Sequence, residues 1–166
     1  YSADSELVIP TKLNNERYNT EAWACENWNR SLNCKKIIGY REALTLPSLP
    51  KKMVVVGSGA IGVEFAYFYQ TLGTEVTVVE YLPNIVPIED VDVSKQLEKS
   101  FKKAGVKVMT GSSVESVDTK GKNCIVTVKT AKGEEKIECD VVLSAVGIEA
   151  NIENIGLEDV GIVTDR

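Results

Sequence analysis

The stretch from Met53 to Glu80, MVVVGSGAIGVEFAYFYQTLGTEVTVVE, constrains the fold of this chain more than any other. Its first four residues, Met53–Val56, form an apolar run without a polar face, which is typical of a parallel strand buried on both sides. Glycines follow at 57, 59 and 62, and a helical pattern begins there. Its apolar residues recur at steps of four, three and four: Ile61, Phe65, Phe68 and Leu72. We expect Gly73 to end this helix and Glu75–Glu80 to form the next strand.

The three glycines form a G-x-G-x-x-G pattern in which each position has its own structural requirement. Gly57 allows a tight turn, Gly59 lets the backbone approach a pyrophosphate, and Gly62 permits close packing of the helix on the sheet. Phosphates would lie at the N-terminus of the helix, where unpaired N–H groups and the helix dipole favour negative charge. The flanking strand, the periodic helix and the terminal acid together favour a dinucleotide site over a purely structural turn.

Glu80 indicates which dinucleotide binds. A carboxylate at the end of the second strand can accept hydrogen bonds from both hydroxyls of the adenine ribose, and it would repel a 2′-phosphate. No arginine that could accommodate such a phosphate lies between Tyr81 and Arg166. The sequence therefore favours NAD over NADP. An S-adenosylmethionine enzyme also uses a glycine turn followed by an acid, but the third glycine argues against that alternative.

Composition narrows the class of protein. At 166 residues and 43% hydrophobic content, the chain allows one ordinary domain with extensions. A net charge of −5, without a cluster of basic residues, argues against a nucleic-acid partner. No apolar run approaches the ~20 residues of a membrane span, and no leader opens the chain, so we expect a cytoplasmic protein without a membrane partner.

The cysteine and histidine content limits the available chemistry. The chain has no histidine, which excludes imidazole general-base catalysis and histidine metal sites from it. The four cysteines show neither a C-x-x-C pair nor metal-ligand spacing: Cys25, Cys34, Cys124 and Cys139. We predict free thiols, no metal site and no catalytic residue. Cys124 and Cys139 can come close on neighbouring strands, but a cross-strand disulfide there would be strained.

The chain divides into four predicted parts. Residues 1–35 form an N-terminal segment of unclear origin, with a short edge strand near Leu7–Pro10 and a helix from about Thr20 to Leu32, where Trp23 and Trp28 are expected to pack. Residues 36–50 form a connector, residues 51–150 an NAD-binding domain, and residues 151–166 a C-terminal connector that looks truncated.

Within residues 51–150 the pattern changes from helical to strand-like. Asp90 or Asp92 can cap a second helix that ends at Gly105, and Val106–Met109 follows as the third parallel strand. The apolar stripe of this helix is Val93, Leu97, Phe101 and Ala104.

Three short segments then predict an antiparallel meander: Ser113–Asp118, Asn123–Thr130 and Glu134–Cys139. Asp140–Val146 returns as a buried strand that ends at Gly147. The expected fold class is α/β: a Rossmann-like parallel sheet with helices on it and a three-stranded antiparallel β-meander, of the FAD/NAD(P)-binding type.

From about Lys36 to Arg166 the chain resembles the NAD-binding domain of dihydrolipoyl dehydrogenases, which are flavin-dependent pyridine nucleotide-disulfide oxidoreductases. Three stretches carry the resemblance: LPSLPKKMVVVGSGAIGVEFA, TEVTVVEYLPNIVP, and CDVVLSAVG followed by NIGLEDVGI. In such enzymes electrons pass from dihydrolipoamide to a disulfide, then to FAD, and then as hydride to NAD⁺. The resemblance implies that this chain supplies only the last acceptor site.

The resemblance also implies site residues. Those that would line the pyrophosphate are Gly57, Gly59, Ala60, Ile61 and Gly62. Ile61 would also face the flavin and nicotinamide side of the cleft. Glu64 would contact the nicotinamide end, Glu80 the adenosine ribose, Val114 the adenine and Gly147 the nicotinamide. The cofactor-binding set is completed by Ser58, Tyr81, Ala145 and Val146.

The departures from the family pattern suggest a fragment. Members carry an N-terminal FAD domain with its own glycine fingerprint and a C-x-x-x-x-C disulfide, and a dimerisation domain that supplies a His-Glu pair. This sequence has one fingerprint, no such cysteine pair and no histidine. We expect an excised or rearranged piece that binds NAD(H) without turnover. Its partners in the parent would be the FAD and dimerisation domains and, by resemblance, a 2-oxo acid dehydrogenase complex. The alternatives are a stand-alone NAD(H)-binding or sensing module, or the NAD domain of an NADH oxidase or coenzyme A disulfide reductase.

Overall fold

Two sheets and a layer of helices make up the structure, a computed structural model that describes residues 36–147 and 156–163. The strands are β1 (Ile37–Ile38), β2 (Lys52–Val56), β3 (Glu75–Val79), β4 (Lys107–Met109), β5 (Ser113–Asp118), β6 (Cys124–Thr130), β7 (Gly133–Cys139) and β8 (Val141–Ser144). The α-helices are α1 (Tyr40–Ala43), α2 (Ala60–Thr71) and α3 (Val91–Ala104), and a 3-10 turn spans Glu158–Val160. The elements in the fingerprint region therefore follow the predicted order of strand, turn, helix and strand.

The larger sheet has five parallel strands in the order β1-β8-β2-β3-β4. β2 lies between β3 and β8, and Val54 is in register with Thr77 on one side and Val142 on the other. The smaller sheet is the antiparallel meander β5-β6-β7. The predicted fold class, a Rossmann-like parallel sheet with helices and a three-stranded meander, is confirmed.

Both faces of β2 are buried, as its apolar run requires. Val54 and Val56 point into a core between the parallel sheet and the meander, together with Val126 and Val128 of β6. The alternate residues of β2 point into a second core beneath the helices. Each fully buried valine side chain contributes about 1.5–2 kcal/mol of hydrophobic stabilisation, so this central strand holds the helix layer and the meander together.

The buried face of α2 differs from the one that we expected. Phe68 and Leu72 are exposed, whereas the buried residues of this helix are Gly62, Ala66 and Tyr69. Gly62 lies in the first turn of the helix, where a Cβ would come within 2.2 Å of the Gly57 carbonyl oxygen, so only a glycine allows this close approach. The predicted Ile61–Phe65–Phe68–Leu72 stripe is therefore wrong for Phe68 and Leu72, whereas Phe65 packs against the core beneath the helices. The helix end is as predicted, with Gly73 in the left-handed region at a φ of 97°.

The capping of α3 follows the sequence, but its apolar stripe does so only in part. Asp90 is the N-cap, and its Oδ1 accepts a hydrogen bond from the Asp92 N–H at 2.8 Å. Gly105 ends the helix in the left-handed conformation. Phe101 is buried in the core beneath the helices, whereas Val93 is exposed.

The stretch predicted as a connector contributes to the sheet. Ile37 and Ile38 form β1, which pairs with β8 in parallel, and Tyr69 of α2 donates a hydrogen bond from its hydroxyl to the Ala43 carbonyl of α1. The division of the chain at residues 35, 50 and 150 remains a prediction. The predicted edge strand near Leu7–Pro10 and the predicted helix with its tryptophans lie outside the described residues.

Candidate functional site

The predicted site residues gather mainly at one edge of the parallel sheet. Gly57 follows the last residue of β2, Glu80 follows that of β3, and Ala145 follows that of β8. Because these strands are parallel neighbours, their carboxyl ends meet at the same edge, which is where open α/β sheets bind ligands. The glycine turn and the start of α2 lie at this edge.

Gly57 and Gly62 are required by the backbone packing itself. Gly57 has a φ of 95°, and a Cβ built on it would lie 2.4 Å from the Ala145 carbonyl oxygen. A Cβ on Gly62 would lie 2.2 Å from the Gly57 carbonyl oxygen. No side chain fits at either position without moving backbone atoms. These two glycines therefore bring β2, β8 and α2 into close approach.

Gly59 is a glycine for a different reason. It is the N-cap of α2, with an extended backbone at a φ of −65°, and a Cβ built on it would have no heavy atom within 4 Å. Nothing within the described protein therefore requires a glycine here. The open space adjoins the N-terminus of a twelve-residue helix that has no acidic residue in its first turn. Its unpaired N–H groups and positive dipole end suit a phosphate group.

The Glu80 carboxylate is buried and is held by the chain. Its Oε2 accepts hydrogen bonds from the Ser58 N–H at 2.8 Å and from the Ser58 hydroxyl at 2.6 Å. Its Oε1 accepts from the Leu82 N–H at 2.8 Å. Glu80 is 5% exposed and Ser58 is completely buried. Sequence reasoning missed this contact, because nothing in the periodicity relates a serine in the turn to an acid 22 residues later.

The loop after β3 is hydrogen-bonded to the glycine turn. The Val86 N–H donates to the Ser58 carbonyl at 2.9 Å, and Ile85 is fully buried. Val86 has a φ of 42°, an unfavourable conformation for a β-branched residue. Such strain persists only where the surrounding structure enforces it, and here the loop carries Val86 to the Ser58 peptide. No pattern in the sequence indicates this contact.

The residues after β8 extend the same edge. The Ala145 N–H donates to the Val56 carbonyl at 2.8 Å, so the chain stays beside β2 until it reaches the turn. Ala145 and Val146 are half-buried, and Gly147 is exposed with a φ of 131°. This segment is therefore next to the glycine turn and open to a ligand that lies across the sheet edge.

The other predicted site residues have mixed environments. Ala60 and Tyr81 are exposed, and Ile61 is half-buried. Glu64 is exposed on α2 and borders an apolar cavity of about 290 Å³ between α2 and α3. Val114 is in β5 of the meander and is buried in the core between the two sheets, so its side chain offers little surface to an adenine ring. The glycine turn, Glu80 and Ala145–Gly147 thus share one edge of the sheet, and the roles predicted for Glu64 and Val114 stay predictions.

Cys124 and Cys139 lie at the other end of the sheet. They face each other across β6 and β7, and both are buried free thiols, as predicted for this pair. A hydrogen bond between the thiols raises the pKa of Cys139, and burial raises it further. Cys139 comes just before the amino end of β8, whereas the glycine turn lies at the carboxyl ends of the parallel strands. The cysteine pair is therefore at the opposite edge of the sheet from the glycine turn. It does not form part of the candidate site.

The helix N-terminus at Gly59 suits an anionic phosphate group, and the Glu80 carboxylate is a hydrogen-bond acceptor at the same sheet edge. Within residues 36–147 and 156–163 there is no group of three or more potential metal ligands. Over the same residues, no helix has the length and apolar character needed to cross a membrane. The open space at Gly59 lies where a Rossmann-type glycine turn lets the backbone approach a pyrophosphate.

A sequence model of the pyridine nucleotide-disulphide oxidoreductases matches residues 25–166 of this chain. The chain belongs to this family. Among its curated relatives, the dihydrolipoyl dehydrogenase of Rhizobium etli is 44% identical over 133 residues, which cover 80% of this chain and 28% of that protein. The Mycobacterium leprae dihydrolipoyl dehydrogenase is 42% identical, over 76% of this chain and 27% of that protein.

Solved structures of family members have the same fold. LpdA from Mycobacterium tuberculosis superimposes with a TM-score of 0.66 at 36% identity, over 78% of this chain and 28% of that one. The flavoprotein disulfide reductase RclA from Escherichia coli gives a TM-score of 0.65 at 25% identity, over 78% of this chain and 29% of that one. This family member therefore spans less than a third of the length of the relatives that it matches.

Proposed function

We propose that this chain is the NAD(H)-binding domain of a flavin-dependent dihydrolipoyl dehydrogenase. Its role in the parent enzyme would be to hold NAD⁺ where it accepts hydride from reduced FAD during oxidation of dihydrolipoamide. The FAD site and the dithiol chemistry would belong to other parts of the parent, because this chain has one glycine fingerprint and no histidine.

The observation that carries the proposal is the contrast between Gly59 and its two neighbours in the fingerprint. Gly57 and Gly62 are explained by backbone contacts under 3 Å, whereas Gly59 faces open space beside a helix N-terminus. A glycine that the fold does not require, at the point where the backbone must approach a pyrophosphate, is explained by ligand binding.

Each part of the sheet edge would have its own task. The N–H groups at the start of α2 would donate to the pyrophosphate, and Glu80 would accept from the adenosine ribose. The segment Ala145–Gly147 would border the nicotinamide, with Ile61 at the start of α2. When bound, NAD⁺ supplies a carbon that accepts hydride. The chain's own residues would orient the dinucleotide and would move no proton.

Sequence identity favours dihydrolipoyl dehydrogenase over other members of the family. The curated relatives with 41–44% identity carry that name. RclA, by comparison, is 25% identical to this chain. The assignment of dihydrolipoamide as the parent's substrate rests on this difference, since the glycine turn and Glu80 would serve any NAD-dependent member.

Calorimetric titration of the 166-residue chain with NADH, and separately with NADPH, tests the proposal. We expect NADH to bind and NADPH to bind at least tenfold more weakly, because a 2′-phosphate would meet the Glu80 carboxylate. Failure of the folded chain to bind NADH would refute an NAD(H) site in this chain. Equal affinities would refute the role of Glu80.

A second assay addresses turnover. Mixing the chain with NAD⁺ and dihydrolipoamide should give no increase in absorbance at the wavelength of NADH. Adding a flavin-containing dihydrolipoyl dehydrogenase as a positive control should restore the increase. Sustained NADH production by the chain alone would contradict the proposal that it is only the acceptor domain.

A further inference from the structure

Ser58 lies between the first two glycines of the turn, yet its polar groups bond within the protein. Its N–H and its hydroxyl both donate to Glu80 Oε2, and its carbonyl accepts from the Val86 N–H. The side chain is completely buried. A hydroxyl held in this way is not available to donate to a phosphate.

The bonds to Glu80 also limit what its carboxylate can still accept. An ionised carboxylate has two oxygens with about four accepting positions. Oε2 receives two hydrogen bonds from Ser58, and Oε1 receives one from the Leu82 N–H. One accepting position therefore remains, on Oε1. This differs from our expectation that Glu80 serves both hydroxyls of the ribose.

We infer that Ser58 is a positioning residue that fixes the Glu80 carboxylate so that only Oε1 meets the adenosine ribose and accepts from a single hydroxyl. The inference rests on the proposed function and deepens it. A carboxylate held on one side by Ser58 and on the other by Leu82 cannot rotate away from an incoming 2′-phosphate. Ser58 thereby contributes to the preference for NAD(H) although it does not touch the ligand.

The first test is a double-mutant cycle. Dissociation constants for NADH and NADPH are measured for the wild type, Ser58→Ala, Glu80→Gln and the double variant. We expect Ser58→Ala to weaken NADH binding about tenfold and NADPH binding less than threefold. The ratio of NADH affinity to NADPH affinity should therefore fall. The double variant should bind NADH within twofold of Glu80→Gln, because Ser58 acts through Glu80. If the two substitutions weakened NADH binding by independent factors that multiply in the double variant, the inference would be overturned.

Ser112→Ala is the matched control for a purely structural effect. Ser112 is also buried at this edge, but its hydroxyl donates to the Thr110 carbonyl and not to Glu80. We expect this variant to lose stability comparably while the ratio of NADH to NADPH affinity stays at the wild-type value. An equal change of that ratio in both serine variants would overturn the inference.

A second measurement needs no variant, so it can test the single-hydroxyl contact even if Ser58→Ala does not fold. The wild-type chain is titrated with ADP-ribose and with its 2′-deoxy and 3′-deoxy forms, modified on the adenosine ribose. We expect one deoxy form to bind about tenfold more weakly and the other within twofold of ADP-ribose. Equal losses for both forms would overturn the inference. Failure of the wild type to bind either NADH or ADP-ribose would instead refute the proposed function itself.

Discussion

The contrast between Gly59 and Gly62 can be tested by adding one methyl group to each. Both Gly59→Ala and Gly62→Ala introduce a Cβ, at positions three residues apart in the same turn. At Gly62 the Cβ would lie 2.2 Å from the Gly57 carbonyl oxygen, whereas at Gly59 it would have no protein atom within 4 Å. The two substitutions should therefore separate the requirements of the fold from those of the ligand.

The expected magnitudes follow from these contacts. At Gly62 the Cβ falls about 1 Å short of an ordinary contact with backbone atoms that cannot swing aside, so we expect a loss of about 2–3 kcal/mol in the free energy of unfolding. This corresponds to a drop of about 6–9 °C in Tm for a chain of this size. At Gly59 the lower preference for alanine at an N-cap is offset by reduced entropy of the unfolded chain, which leaves a change within about 0.5 kcal/mol.

NADH affinity, unlike stability, should be sensitive to the substitution at Gly59. The Cβ of Gly59→Ala would occupy space that the pyrophosphate needs, so we expect NADH affinity to fall at least tenfold, or about 1.4 kcal/mol, with little change in Tm. Thermal unfolding followed by circular dichroism gives the stability, and calorimetry gives the affinity. A Gly59→Ala chain that binds NADH like the wild type would refute the assignment of this space to the pyrophosphate. A loss of stability equal to that of Gly62→Ala would refute the geometric argument.

Three further predictions concern stability. Asp140 Oδ2 accepts hydrogen bonds from the N–H groups of Lys51 and Lys52, so Asp140→Ala should cost about 1–2 kcal/mol in urea unfolding, and Asp140→Asn should cost less. Phe101→Ala should cost about 3–5 kcal/mol, whereas Val93→Ala on the same helix should cost under about 0.5 kcal/mol because Val93 is exposed; similar losses would contradict the observed packing of α3. Hydrogen bonding to the neighbouring thiol and burial raise the pKa of Cys139, so the unfolded chain releases this proton first. The same hydrogen bond lowers the pKa of Cys124, which opposes this effect, but burial disfavours ionisation of both thiols. The free energy of unfolding should therefore fall above about pH 8.5, and less steeply in Cys139→Ala; equal slopes would exclude this contribution.

The elements that were predicted well depend on local properties of the chain. β2 follows from four consecutive apolar residues, and the ends of α3 follow from Asp90 at its N-cap and Gly105 after its last turn. The meander follows from three short segments separated by Lys-Gly pairs. In each case the residues that decide the conformation are within a few positions of it, so the sequence can be interpreted directly.

The candidate site was predicted only in outline. The glycine pattern and the acid 23 positions after Gly57 indicated the sheet edge, because parallel strands place their carboxyl ends together. The hydrogen bonds that hold the Glu80 carboxylate could not be predicted in this way. It depends on a hydrogen bond across 22 residues and on a loop held to the Ser58 peptide by Val86.

The sequence by itself determined the order of strands and helices, the glycine turn and the need for a two-sided core, because these depend on side-chain type and short-range backbone preferences. Only the tertiary structure decided which face of α2 is buried, that Ile37 and Ile38 join the sheet beside β8, and that Ser58 holds Glu80. The physical reason is that these features depend on how closely distant backbone segments approach. At Gly62, for example, the helix lies so close to the glycine turn that an added Cβ would be 2.2 Å from the Gly57 carbonyl oxygen, an approach that the apolar periodicity of α2 does not indicate.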